Sequence, residues 1–451
     1  MSVLSYTEAV ARLSGLVPEL YVLPGGERRK FTLAEIGLLC EALGNPQRKF
    51  ACVLIAGTNG KGSTAATLAA IAQAAGLHVG LYTSPHLERV NERVRMSADG
   101  RLKEMDDDAF ARHFCAVHDA AQQLVMDGAL RGMPSYFELM TALAFRAFAE
   151  ARVELAVLEV GMGGRLDATN IVEPCVSVIT DIALDHQEWL GDTIGAIARE
   201  KAGILRRNGV MVTLPQHPEA NKALGEVAVS LNVRGVNAAA FMPARGTGGA
   251  SGYALEVMGT QIAVNSSLHG AHQQRNVALA IAAAVELAEQ HAFPITPAAI
   301  EAGIHATDWP GRLETMTLDA WPEVVLDVAH NPAGAWALRA AVNAMEESAA
   351  RQPMLLVFGC LRDKPVDELA QILFPLFDCV VLVPVNSPRA AGMGALLAAA
   401  EATGAAAKTA TDTEEALQIA RKAAGASGRI VISGSVYLVG EARHLLRAEM
   451  R

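Results

Sequence analysis

Seven apolar residues in a row, at positions 50–56, run straight into Gly57-Thr58-Asn59-Gly60-Lys61-Gly62-Ser63-Thr64. An alanine-rich stretch at 63–75 comes next and is closed by Gly76. An unbroken apolar run of that length suits a strand covered on both faces, and the alanine-rich stretch favours helix. The glycine loop then lies at the carboxyl end of a buried strand and at the N-terminus of a helix. Glycines in that place let backbone N–H groups turn toward an anion, the helix dipole favours negative charge, and Lys61 adds a cation with reach. The segment reads as a variant phosphate-binding loop. Ile55 stands where a glycine is usual, and Gly62 stands where a hydroxyl usually follows the lysine.

The strand and helix logic continues along the chain. Apolar runs at 78–83, 155–160, 176–180 and 210–214 are separated by helical stretches, the pattern of a parallel sheet covered on both faces. A glycine-rich stretch at 245–252 beside alternating residues at 253–258 and 261–264 predicts a small antiparallel insertion. After a predicted helix at 276–289, Thr307-Asp-Trp-Pro-Gly311 breaks the periodicity, which sets a domain boundary between 307 and 308. Beyond it, strands are expected at 324–328, 354–358, 379–383 and 429–433. Helices are expected at 333–345, 366–374, 395–407 and 414–424. The fold class is α/β, with a central P-loop domain at 1–307 and a second, Rossmann-like α/β domain at 308–451.

A chain of 451 residues, 51% of them hydrophobic, is too long for one ordinary core. With 5% aromatic and 19% charged residues it is neither disordered nor fibrous. The formal net charge of -10 would repel a phosphate backbone, so nucleic acid is not an expected partner. An anionic small substrate would need a local cluster of cations, N–H groups and metal. The six cysteines contain no C-x-x-C pair, and no apolar run approaches the roughly 20 residues a membrane helix needs. A soluble, cytoplasmic monomer that meets no membrane is expected.

Further chemistry sits where strands end. Glu159, before Val-Gly-Met-Gly-Gly, lies at the carboxyl edge where open α/β sheets bind ligands, and a carboxylate there suits Mg²⁺. Asp185-His186 follows another strand, and Glu200-Lys201 lies in a helical stretch. By themselves these two pairs read as ordinary surface or packing residues.

Taken in order, Gly57 to Ser63, Thr83-Ser84-Pro-His-Leu87, Tyr136-Phe137-Glu138, the run from Glu159 to Asn170, His186, Glu200-Lys201-Ala-Gly-Ile204, Gly311-Arg312 and Asp327-Val-Ala-His330-Asn-Pro332 resemble the folylpolyglutamate synthase and dihydrofolate synthase family. That family lies within the wider Mur ligase group. The resemblance extends over about residues 33–439.

The resemblance also implies roles for individual residues. Thr58, Asn59, Gly60, Lys61, Gly62, Ser63 and Thr64 would hold ATP phosphates, with Asn276 at the adenine, Arg312 at a phosphate and Asp327 at the ribose. Ser84 and Glu159 would ligate one Mg²⁺, and His186 a second Mg²⁺ bridged by Glu159. Lys201 matches the family lysine that CO₂ carbamylates, which turns an ammonium into a carboxylate mimic able to bind a cation. Thr32, Leu33, Phe137, Glu138, Leu166, Asp167 and Ala168 match pterin-site segments, although Thr32-Leu-Ala-Glu35 stands where the family commonly has Asp-Leu-Gly-Leu. His330, Arg389, Ser433 and Ser435 match the L-glutamate pocket, and Lys61, Lys201 and His330 would be catalytic.

The implied reaction is ATP-dependent addition of L-glutamate to dihydropteroate and to reduced folates. A substrate carboxylate takes the γ-phosphoryl group, and the amine of glutamate then displaces phosphate from the acyl phosphate. Two alternatives share the phosphate loop: a Mur-type ligase acting on a uridine-linked cell-wall precursor, and a P-loop switch or motor ATPase.

Overall fold

Side chains alternate across a strand, so an apolar run needs cover above and below. In the computed structural model, which describes residues 4–16, 32–244, 252–319, 321–347 and 352–450, the first run is strand β1 (Ala51–Ala56). Cys52, Leu54 and Ala56 enter one core, while Val53 and Ile55 enter another on the opposite face. The first core is covered by helices Asp107–Met126, Tyr136–Glu150 and Ile194–Ala202. The second is covered by Lys61–Ala74, Ala271–His291 and Pro297–His305.

Seven more strands complete this sheet: β2 (Val79–Tyr82), β3 (Val94–Ala98), β4 (Arg101–Glu104), β5 (Leu155–Glu159), β6 (Val176–Ile179), β7 (Val210–Thr213) and β8 (Arg234–Asn237). Their spatial order is β4-β3-β2-β5-β1-β6-β7-β8. The strands from β2 to β8 in that order pair in parallel, whereas β3 and β4 form an antiparallel hairpin on one edge. That hairpin was not expected from the sequence because four of its nine strand residues are charged and all but Val94 are at least partly exposed, as an edge permits.

The predicted insertion is the hairpin β9 (Gly252–Val257) and β10 (Thr260–Asn265), whose Val257, Ile262 and Val264 complete the second core. Residues 245–251 of the glycine-rich stretch lie outside the described residues. The following helix begins at Ala271, five residues before the predicted start, so Asn276 stands in its second turn.

The second sheet contains β11 (Arg312–Met316), β12 (Glu323–Asp327), β13 (Met354–Phe358), β14 (Cys379–Leu382), β15 (Ala407–Thr409) and β16 (Arg429–Ser433), in the order β11-β12-β16-β13-β14-β15. Only β11 runs antiparallel to its neighbour. The helix expected at 395–407 is shorter, Met393–Thr403. Gly404, at φ 69°, turns the chain so that Ala407 enters an edge strand instead.

All strands of the first sheet precede residue 238 and all of the second follow residue 311, and we propose a division of the chain between 307 and 308. Trp309 and Arg443 make two of the contacts that dock the halves. Trp309 lies under the Arg95 guanidinium, 5.0 Å from its ring centroid, and Arg443 of the helix Val436–Glu449 is held between Glu88 and Glu314. Among the described residues no helix is long and apolar enough to cross a membrane.

Candidate active site

The carboxyl ends of β1, β5 and β6 and the loop after β12 face one another across a cavity of about 480 Å³. Both halves of the chain line it: Gly57 to Ser63, Glu159 and Lys201 from the first, Arg312, Asp327 and His330 from the second. This is the edge at which an open α/β sheet offers helix N-termini and loop N–H groups to a ligand.

The phosphate loop is tied down by its backbone. Thr58 and Asn59 N–H donate to the Asp181 carbonyl at 2.8 and 3.2 Å, and the Thr58 hydroxyl donates to Ala183 O. Asp181 is itself gripped by Arg275, next to Asn276 on the helix. Gly60, at φ 87°, has the left-handed backbone that begins the helix Lys61–Ala74, and a Cβ there would lie 2.1 Å from Asn276 Oδ1. Asn276 is therefore set against the loop, with its Nδ2 donating to Gln273 Oε1 at 2.7 Å. Lys61 Nζ donates to the Thr58 carbonyl at 3.2 Å. The hydroxyls of Ser63 and Thr64 are buried and have no hydrogen-bond partner among the described residues. Buried hydroxyls without partners are costly, and phosphate or cation ligation would satisfy them.

Glu159 is buried at the end of β5, and its Oε2 accepts the Ser84 N–H at 3.1 Å. Burial raises its carboxyl above the usual range, against the pull of Lys61, the Ser84 N–H and Arg312. Among the described residues no three His, Cys, Asp or Glu side chains converge as metal ligands. The oxygen donors that line the cavity, the Glu159 carboxylate with Ser84 and Ser63, fit Mg²⁺, which usually takes one or two carboxylates and completes its shell with phosphate and water.

Lys201 is buried, with Nζ 2.8 Å from the Gly57 carbonyl. Burial, reinforced by the Lys61 charge, pulls its amine down to about 7. His186, in the left-handed region at φ 51°, is pulled down to about 4 by burial and is neutral at pH 7. His330 is likewise lowered to about 4, chiefly by burial. Its Nδ1 donates to the Val328 carbonyl at 2.8 Å, which leaves the Nε2 lone pair unprotonated.

Arg312 is buried enough to lower its pKa, and it has Asp327 and Glu159 as counter-charges. Both oxygens of Asp327 accept backbone N–H groups, from Leu313 at 3.0 Å and Ala329 at 2.9 Å, so this carboxylate also braces β11 against β12. Burial raises it, while Arg312 and His272 oppose that.

The remaining predicted site residues are not in the cavity wall. Thr32 is exposed and caps the helix Leu33–Ala42. Glu138 forms a capping box with Ser135. Phe137 packs in the first core, its ring 5.9 Å from that of Tyr82. Asp167 accepts from Met162 N and Thr169 N and holds the turn between half-buried Leu166 and buried Ala168. Arg389 pairs with Asp363 at 2.7 Å. The Ser433 hydroxyl donates to Ala329 O, and that of Ser435 caps the helix Val436–Glu449.

Three residues emerge that sequence reasoning gave no role: Asp185, Asn331 and Lys364. Asp185 Oδ1 accepts from Lys364 Nζ at 2.7 Å, and Oδ2 from Asn331 Nδ2 at 3.3 Å. Burial would raise this carboxyl, but His186, Lys364 and His330 together hold it below the ordinary range. Asn331 stood in the Asp327 to Pro332 motif without a role of its own, whereas no local pattern marks Lys364.

Residues 124–284 match the Mur ligase middle domain, and residues 311–436 match the Mur ligase, glutamate ligase domain. A folylpolyglutamate synthase of Lacticaseibacillus casei is 38% identical over 395 residues, covering 86% of this chain and 87% of its own. A dihydrofolate synthase/folylpolyglutamate synthase of Mycobacterium tuberculosis is 37% identical, covering 92% of this chain and 90% of its own. Among solved structures, M. tuberculosis folylpolyglutamate synthase complexed with ADP and AMPPCP superposes with a TM-score of 0.83 at 35% identity, over 92% of this chain and 95% of that one. E. coli FolC in complex with DHPP and ADP superposes at 0.80 and 29% identity, over 99% of both chains.

Proposed function

This chain belongs to the dihydrofolate synthase/folylpolyglutamate synthase family of Mur ligases, and from that membership we propose how its cleft works. It is an ATP-dependent ligase that joins L-glutamate to dihydropteroate, forming dihydrofolate, and to reduced folates, forming folylpolyglutamates. The observation that carries the mechanism is a single cavity walled by the phosphate loop of the first half and by Arg312, Asp327 and His330 of the second.

ATP phosphates lie along residues 58–64, where loop N–H groups and the Lys61 ammonium face them. Asn276 meets the adenine and Asp327 the ribose. The substrate carboxylate attacks the γ-phosphorus, the bond to the bridging oxygen breaks, and ADP leaves an acyl phosphate. Lys61 and Arg312 oppose the charge on the transferring oxygens, where positioning and electrostatics do most of the catalysis. The glutamate amine then attacks the acyl carbon and expels phosphate. The Nε2 lone pair of His330 is the nearby acceptor for the amine proton.

Two Mg²⁺ ions, when bound, supply further neutralisation of the phosphate oxygens. The oxygen donors of Ser84 and Glu159 suit the first, and His186 with Glu159 the second. Lys201 completes the second site as a carbamate: its neutral amine attacks CO₂, an N–C bond forms and one proton leaves. Burial of the amine supports this, because an ammonium has no lone pair for the attack. Lys201→Ala should be inactive and partly restored by a short added carboxylate. Plain lysine density at full occupancy, in crystals grown near neutral pH with magnesium and bicarbonate, would count against the carbamate.

Thr32, Leu33, Phe137, Glu138, Leu166, Asp167 and Ala168 remain the proposed pterin contacts, with Arg389, Ser433 and Ser435 beside His330 at the glutamate. Six free cysteines support work in a reducing cytoplasm, where we place the enzyme as a monomer. The test offers purified protein ATP, Mg²⁺ and L-glutamate with dihydropteroate, tetrahydrofolate or a uridine-linked muramoyl peptide, following ADP release and product mass. Glutamylated pterin products are expected. Turnover of the muramoyl peptide alone would replace this function.

A further inference from the structure

Four polar side chains alternate between the two halves of the chain across the cleft. Asn59, in the phosphate loop, and Asn331, beside His330, exchange amide hydrogen bonds at 3.0 and 3.3 Å. Asn331 Nδ2 also donates to Asp185 in the first half, at 3.3 Å. Asp185 in turn accepts from Lys364 in the second half, at 2.7 Å. The side chains of Lys364 and Asp185 are only 7% and 11% exposed, so this pair is shielded from solvent on both sides. Asp185 Oδ2 also lies 3.9 Å from Nε2 of His186 and 3.9 Å from Nε2 of His330. One carboxylate therefore faces the two imidazoles that belong to opposite halves.

Within the second half, Lys364 is held by its own loop. Its N–H donates to Leu361 O, and its carbonyl accepts the Val366 N–H at the start of the helix Val366–Leu373. It does not line the cavity. A buried ammonium is costly unless paired, and its side-chain partner here is a carboxylate of the other half. Removing the lysine would leave Asp185 buried with less compensation, its carboxylate held by Asn331 Nδ2 and the His186 N–H alone among the hydrogen bonds described.

We propose that Lys364 is a positioning residue for the ligation, the outer end of a polar zipper, Asn59–Asn331–Asp185–Lys364, that sets the phosphate loop and His186 in register with His330. The zipper acts on the reaction after binding rather than on nucleotide capture, since the lysine does not itself line the cavity and reaches its wall only through Asp185. This rests on the reading of the cleft as the ligation site. If that reading were wrong, the native protein itself would release no ADP in response to folate and glutamate, whereas failure of the zipper would leave native activity in place.

The test compares native protein with Lys364→Met, Lys364→Arg, Asp185→Asn and Asn331→Asp. The methionine keeps the apolar stem and removes the charge, and the aspartate keeps the oxygen that accepts Gly334 N–H at 2.8 Å while facing Asp185 with a like charge. Full-length enzyme would be assayed for glutamate-dependent ADP release, with KM for ATP and kcat separated. Lys364→Met should lower kcat at least tenfold with KM for ATP within threefold of native, and Lys364→Arg should recover much of that loss. Asn331→Asp should lower kcat at least tenfold as well. In the double variant Asp185→Asn/Lys364→Met, kcat should be no lower than in the slower single variant, because both break one contact. A folded Lys364→Met with kcat within twofold of native would overturn the proposal, as would multiplicative losses in the double variant. Should Lys364→Met not fold, Asn331→Asp decides: kcat within twofold of native overturns the zipper, and a tenfold loss sustains it.

Discussion

The Lys61 ammonium rests on the carbonyl of Thr58 at 3.2 Å, a neutral contact that phosphate oxygens can replace. Lys61 opens the helix Lys61–Ala74 with its side chain half-buried in the cavity wall, and alanine is a good helix former, so Lys61→Ala should leave the fold intact. Loss of one such charge at the transferring phosphoryl group should lower kcat about 100- to 1,000-fold. Steady-state ADP release measures it, with circular dichroism to show native structure; turnover within tenfold of native would remove Lys61 from the chemistry. Lys61 and Glu159 were legible in the sequence because the first lies in the loop-to-helix turn after one buried strand and the second closes another, and the pattern of strand ends is local. Asp185 was not, because what gives it meaning lies 146 and 179 positions away, in Asn331 and Lys364. A residue defined by distant partners leaves no mark on its own neighbourhood.

Elements show the same division between local and distant causes. Strands with both faces buried, such as β1 and β13, announce themselves as apolar runs, whereas the edge strands β4, β8 and β15 are largely exposed and carry no such run. Helix contacts are less legible still. Gly303 lets Pro297–His305 approach the phosphate-loop helix so closely that a Cβ would lie 2.3 Å from the Ile71 Cα. Backbone cannot move aside as a side-chain tip can, so Gly303→Ala should destabilise the protein by about 1–3 kcal/mol. Urea denaturation measures this, and an unchanged midpoint would show that the helices slide apart freely. The helices Asp107–Met126 and Tyr136–Glu150 meet at His113, which is 3% exposed and contacts Arg146. Burial, then Arg146 and Arg112, lower its pKa to about 4, against the weaker attraction of Glu150 and Asp106. The unfolded chain, with histidine near its ordinary 6.5, binds this proton first, so the stabilising contribution is present above pH 6.5 and is lost as pH falls toward 4. Melting temperatures across that range should fall, and less steeply in His113→Gln; identical slopes would show that His113 is not what titrates.

At the scale of the molecule, each half has its own sheet and its own pair of hydrophobic cores. Those cores could be read from the sequence, but their docking could not, because Arg443 between Glu88 and Glu314, or Trp309 beneath Arg95, joins residues with no shared pattern. The cavity wall drawn from both halves has a calorimetric consequence. Largely polar docking contacts, with Leu87 and Trp309 the apolar ones among those described, couple the apolar cores of the two halves only loosely, so the free protein should unfold over a broad endotherm with two components, one for each sheet. A nucleotide that touches both walls binds only while both are folded and docked. At a concentration 100-fold above its dissociation constant it would add about 2.7 kcal/mol to that joint state. Scanning calorimetry with a non-hydrolysable ATP analogue should therefore show the components moving up and merging into one sharper peak. Upward movement of only one component would mean that a single half holds the nucleotide. The ligand would then be the mortar of the structure as well as its fuel, and heat capacity would report the coupling that catalysis needs without any turnover taking place.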